Sequence, residues 1–374
     1  MLTDRTAGRP GRLVGLDVAR CLALVGMIAT HTLMPPLPGE DRPLWHWLAS
    51  GRASALFAVL AGVSLALMSG GTRPVRGRER AATTAGLAVR ALLIAALGLA
   101  LGDLDSGLAV ILAYYGVLFL LGLPFLGLRA PALFGLAAAW LVLTPVASYL
   151  LAPHLPPRTF ALPTFDRLAE PGLLLSEITV TGYYPVLPWL AYLFAGMAVG
   201  RLDLRRRGTD VRLALWGLGV AVGAQVLAEV LSPAENAADF HGTVPPEAGW
   251  DLLRVADPHS GTPLDLATTI GSALAVIGIC LVVARLLPRA GERALAVAFG
   301  AGTMTLSLYS LHVLLHTPDW SPDDHGQAAF RAHALVVLVI GAAFVVLRWS
   351  GPLEWLVRQM SRGTAGLGRN LLRR

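Results

Sequence analysis

Residues 15–31, GLDVARCLALVGMIATH, put an acid, a guanidinium and an imidazole into one apolar run. On a helix turning about 100° and rising about 1.5 Å per residue, Arg20 and His31 fall within roughly 20° of one face and about 16 Å apart. Asp17 precedes Arg20 by one turn, the spacing of an i,i+3 ion pair. The stripe therefore carries a base able to take a proton near neutral pH and a cation that attracts phosphate or carboxylate. A plainer reading also stands, in which Asp17 and Arg20 pair only to anchor a helix end.

Other residues extend the acid–base inventory. His46 lies between two tryptophans in LWHW, and His312 follows Tyr309 at i,i+3 in TMTLSLYSLH. All nine histidines (31, 46, 154, 241, 259, 312, 316, 325 and 333) fall in or beside one set of alternate loops, away from the arginine clusters. His316, His325 and His333 read as interfacial polar residues. Arg52 begins the second apolar run and reads as an interfacial anchor or as a group that stabilises developing charge. Arg90 lies inside the third. Cys21 and Cys280 have neither zinc spacing nor a disulfide framework, so no metal is expected.

These residues need elements to hold them, and composition says which kind. The 374 residues are 55% hydrophobic and 14% charged, with mean hydropathy +0.62; a soluble domain carries about 25% charged residues. A spanning helix takes about 20 apolar residues. Ten segments qualify, at about 13–34, 51–70, 85–102, 107–127, 131–151, 184–201, 211–232, 263–286, 295–316 and 332–349. The first is too long for a signal-peptide core and has no small-residue cleavage site, so it reads as a retained helix.

The net charge of +6 does not indicate nucleic-acid binding, because the arginines cluster between apolar runs. RPVRGRER, RLDLRRRG, RLLPRAGER and the C-terminal tail are basic, whereas GEDRP, DLDSG and DWSPDDHG are not. With ten spans every basic loop lies on one side, which places both termini in the cytoplasm. The expectation is an all-α polytopic transmembrane bundle, a single domain over 1–374, sited in the plasma membrane of a bacterium. The longer outer loops, about 152–183 and 233–262, have the length of lids, and 351–360 reads as a short interfacial helix.

Leu16, Asp17, Arg20 and His31 form the pattern LD-x-x-R with R-x(10)-H. This resembles the first span of transmembrane acyltransferases, namely the acyltransferase-3, heparan-α-glucosaminide N-acetyltransferase-like and YeiB-like proteins. ALFAVLAGVSLAL (55–67), GAGTMTLSLYSLHVLL (300–315) and RWSGPLEWLVR (348–358) are similar to later segments of the group, and YYPVLPWLAYLFAGMAVGR (183–201) matches loosely. The resemblance implies transfer of an acyl group, typically acetyl, from cytoplasmic acyl-CoA to a sugar or similar acceptor across the membrane. It maps the active histidine to His31 in one branch and to His46 in the other, and both remain open.

On that reading His31 or His46 is the general base, and His312 orients it or the acceptor. Asp17, Arg52 and Tyr309 support the reaction, and Arg20 and Arg90 receive the anionic donor. The expected partners are acyl-CoA, a small-molecule or glycan acceptor and the lipid bilayer. A transporter or flippase of a polar or lipid-linked solute is the alternative, since it also needs ionisable groups within the membrane. A non-catalytic scaffold is the third reading.

Overall fold

The computed structural model describes residues 12–36, 40–156, 161–231, 250–320 and 325–371, and the regular structure among them is helical throughout. The helices are α1 (Val14–Thr32), α2 (Leu44–Ala49), α3 (Arg52–Met68), α4 (Gly77–Gly102), α5 (Leu112–Gly122), α6 (Ala130–Leu151) and α7 (Pro171–Ser176). They continue as α8 (Val186–Gly200), α9 (Thr209–Leu231), α10 (Pro263–Leu286), α11 (Arg289–Ala298), α12 (Thr305–Leu315), α13 (Gln327–Val346) and α14 (Pro352–Leu371).

Among the described residues, seven helical segments are long and apolar enough to cross a membrane; α2 and α3 count as one of them. The expected spans 107–127, 184–201 and 295–316 correspond instead to shorter apolar helices. Two of these differ in a way that matters for the site. The chain over 104–110 is irregular before α5 starts. The expected span at 295–316 is broken, with α11 and α12 separated by a 3-10 turn at Gly300–Thr303. Apolar composition does not reveal such a break, because hydropathy reads side chains and not the backbone path. The expected short helix at 351–360 runs on to Leu371.

Burial divides the helices into an inner set and an outer set. In α8 nearly every residue is buried, from Val186 to Gly200, and α3 packs along it. The two backbones approach so closely at Gly62 and Gly196 that a Cβ on Gly196 would run into the Val59 carbonyl. Small residues permit this approach between helices in lipid. By contrast α9 shows large apolar side chains outward, with Trp216 74% and Val230 76% exposed. Such surface is stable against hydrocarbon, and a helix meets the demand that backbone polar groups be satisfied there.

Arg201, just past α8, fastens one end of the inner set. Its guanidinium donates to the carbonyls of Ala66, Gly71 and Leu126 at 2.8, 2.9 and 2.6 Å and to Ser69 Oγ at 2.9 Å. These acceptors lie at the end of α3 and in the turn after α5, where the chain leaves the helical ladder.

Candidate active site

The stripe of α1 divides into two centres. At its start Asp17 accepts from Arg12 Nε at 2.5 Å and from Arg20 Nη1 at 2.9 Å, and Arg20 Nη2 donates to Ser64 Oγ on α3 at 2.9 Å. The i,i+3 pairing expected from the sequence is present, and Asp17 is buried. Gly302, in the turn between α11 and α12, sits against the Asp17 backbone with no room for a Cβ. The helix break thus lies beside this ion pair.

Arg20 stands between two spaces. One is a crevice of about 550 Å³ at the start of α1, lined also by Arg12, Thr72, Asp203 and Arg205. The other is an inner cavity of about 90 Å³ walled by Phe57, Leu60, Ile94 and Phe119 and shared with Arg90. The Arg90 Nε is buried and has no hydrogen-bond partner among the described residues. A buried guanidinium nitrogen without an acceptor is costly, and an anionic ligand group would relieve that cost. Arg20 and Arg90, singled out separately in the sequence, therefore line one cavity.

At the far end of α1 the geometry is set by histidines. His31 Nδ1 lies 3.0 Å from His312 Nε2, and His312 Nδ1 lies 2.8 Å from His333 Nδ1. The His31 and His312 rings are parallel, with centroids 5.2 Å apart. His312 and His333 are buried. His316 stands beside them with Nδ1 3.0 Å from the Ser106 carbonyl and Nε2 3.3 Å from the His31 carbonyl. The Gly326 N–H donates to the Thr32 carbonyl at 2.7 Å, tying the start of α13 to the end of α1.

His316 and His333 thus correct the sequence reading, which treated them as interfacial. Their spacing within the chain carries no sign of the contact, because His31, His312 and His333 come from three separate helices. Only the i,i+4 step from His312 to His316 within one stretch hinted that two of the rings share a face.

The remaining candidates go elsewhere. Tyr309 does not bond His312; its hydroxyl accepts from the Ile111 N–H at 3.3 Å, so it braces the start of α5. His46 and Arg52 line a separate crevice of about 290 Å³ with Arg42, Gln225, Glu229 and Asp257. Arg52 donates to the Trp47 carbonyl at 2.7 Å and lies over the Trp47 ring, which suits the anchor reading. His46 packs edge-on against Trp45. Of the two histidines left open by the sequence, His31 joins the buried network and His46 does not line its space. His241 lies outside the described residues, as does much of the expected loop 233–262.

The described part of that loop closes over the break between α2 and α3. Gly51 takes φ +68°, and a Cβ there would press on Pro258. Next to it His259 adopts φ 65°, uncommon for a residue with a Cβ. His259 lies with Trp189, Tyr192, Asp265 and Ser148 around a narrow pocket. No group of three or more metal-binding side chains with ligand geometry occurs among the described residues.

Long apolar helices, buried ion pairs and an imidazole cluster inside the bundle define an integral membrane protein with ionisable groups in its interior. Residues 12–227, more than half of the chain, match the family model described as heparan-alpha-glucosaminide N-acetyltransferase, catalytic. The chain belongs to that family of membrane transferases. No curated protein matches it. The matched stretch contains Arg20, His31, His46, Arg52 and Arg90, whereas Tyr309, His312 and His333 lie beyond it.

Proposed function

We propose that this protein moves an acetyl group from cytoplasmic acetyl-CoA to an acceptor, such as an amino sugar, presented at the opposite face of the membrane, with His31 as general base. The observation that carries the reading is the arrangement along α1. Arginines beside an inner cavity occupy one end, and a hydrogen-bonded imidazole occupies the other. About 16 Å of helix separates Arg20 from His31, a span that an extended pantetheine arm can cover.

Acyl transfer needs a base within hydrogen-bond reach of the nucleophile and donors for the developing oxyanion. His31 is half-buried, and its Nδ1 is held by His312. With Nδ1 as donor to His312, Nε2 keeps its lone pair and can take the proton of the acceptor as nitrogen or oxygen attacks the thioester carbonyl. Arg20 and Arg90 bind the anionic part of the donor. The narrow pocket of Trp189, Tyr192, Asp265 and His259 offers aromatic surface and a carboxylate to the acceptor. N- and C-termini on the cytoplasmic side would place the arginines toward the donor.

The test is release of CoA thiol and formation of N-acetylglucosamine by the purified chain in lipid nanodiscs, with acetyl-CoA and glucosamine. His31→Ala should abolish turnover while acetyl-CoA still binds, and His46→Ala should leave turnover within about threefold. Loss of turnover in His46→Ala with an active His31→Ala would transfer the role to His46. A wild-type chain that neither binds nor cleaves acetyl-CoA overturns the reading in favour of transport.

A further inference from the structure

We propose that His31, His312 and His333 form a proton relay, in which His333 receives the proton that His31 takes from the acceptor. The inference rests on the reading of His31 as base and extends it to two residues that never touch the reacting atoms.

Three neutral imidazoles carry one N–H each, and the two contacts between these rings, at 3.0 and 2.8 Å, require one hydrogen each. Two opposite polarities use them without conflict, and only one of them leaves a lone pair on His31 Nε2, as a base requires. His31 donates from Nδ1 to His312 Nε2, and His312 donates from Nδ1 to His333 Nδ1. His31 Nε2 is then the basic nitrogen. When it accepts a proton from the attacking group, the Nδ1 proton of His31 passes to His312 Nε2. The Nδ1 proton of His312 passes in turn to His333 Nδ1. His31 and His312 end neutral with their tautomers exchanged, and the positive charge rests on His333. Bonds made and broken balance at every ring, and no oxidant or second reactant is needed.

The surroundings favour this direction. His316 is not a link in the chain, because both of its nitrogens face carbonyl oxygens, those of Ser106 and His31. It packs edge-on against His333 at 6.1 Å and against the exposed His325 at 5.7 Å between ring centroids. The charge thus moves from a half-buried ring toward the end of the bundle where a histidine reaches the surface. Among the described residues His316, at the end of α12, packs against the relay, and His325, before α13, packs against His316. On α13 itself Arg331 turns to Gln327.

The full-length chain in nanodiscs, with selectively 15N-labelled histidine, tests the relay in two ways. Imidazole 15N shifts of the resting protein should show Nδ1–H on both His31 and His312, and His333→Phe should move the His312 signals by removing its acceptor. In turnover of acetyl-CoA with glucosamine, His333→Phe should lower kcat by on the order of tenfold, leave KM for acetyl-CoA unchanged, and regain rate when free imidazole is added. His333→Gln, which keeps a hydrogen-bond acceptor but cannot carry the proton, should preserve the His312 tautomer and lose the rate.

An unchanged kcat in both variants overturns the relay, as does a loss that imidazole does not restore. The tautomer measurement does not depend on turnover. If acetyl-CoA chemistry fails in the wild type, the functional reading falls, and 15N shifts that ignore His333→Phe would independently remove the relay.

Discussion

The His31 and His312 rings lie parallel within 1°, with Nδ1 of the first 3.0 Å from Nε2 of the second. A histidine base is useful only if its free nitrogen is the correct one, and the hydrogen bond made by the other nitrogen decides that. On the proposed function His312 orients His31, and it comes from the other end of the chain.

His312→Ala is expected to reduce acyl transfer by about a hundredfold or more, within the range for a lost acid–base contribution. The effect should not add to that of His31→Ala, because the two rings act as a unit. Rates of both single variants and the double variant, with the fold checked by circular dichroism, measure this. Additive losses would separate the two residues.

Arg90 carries an orphaned buried nitrogen in the free protein, so its replacement should cost the fold little. Arg90→Met is expected to leave thermal stability unchanged or raise it, while weakening acetyl-CoA binding about tenfold, the worth of one charge-assisted hydrogen bond. Titration calorimetry beside a thermal melt decides between this and a structural role. A melt that collapses while binding persists contradicts the assignment.

Arg201 makes the opposite case. Its fork serves carbonyls from the ends of α3 and of the turn after α5, and a single ammonium cannot reproduce that geometry. Arg201→Lys should destabilise the protein by about 3 kcal/mol and show the loss equally with and without acetyl-CoA. Chemical denaturation in detergent is the measurement.

Glu354 on α14 holds the start of α12. Its carboxylate accepts from the N–H groups of Leu306 and Ser307 at 2.7 and 3.1 Å and from Ser307 Oγ at 2.5 Å. These are the free donors of a helix N-terminus, and a negative charge there is favourable. Glu354→Ala should therefore raise amide exchange at Leu306 and Ser307 ahead of the rest of α12, which hydrogen–deuterium exchange resolves. It should also lower acyl transfer through displacement of His312. Exchange that rises only in α14 would limit Glu354 to docking its own helix.

Much of this was legible in the chain itself. Apolar runs of about 20 residues announce helices in a bilayer, and the interval from Arg20 to His31 places both on one face, since a helix fixes angle and rise per residue. The Asp17–Arg20 pair is equally local, and it forms as expected. The resemblance to the acyltransferase group was carried by that stretch together with ALFAVLAGVSLAL, GAGTMTLSLYSLHVLL and RWSGPLEWLVR in the same order.

Tertiary structure decided everything that depends on which helices become neighbours. The break at Gly300–Thr303 lets α12 start afresh beside α14 and bring His312 to His31, and no hydropathy profile records a change of backbone path inside an apolar run. His333 is an ordinary polar residue near a helix start until α13 docks against α12 and turns it into a hydrogen-bond partner. His46, a match by resemblance, lies in another crevice, on the short helix α2 that Ser50 and Gly51, the latter with positive φ, separate from α3. Periodicity determines the face of one helix, because that geometry repeats every few residues. The partner of that face depends on packing among many helices, which close-range sequence does not encode.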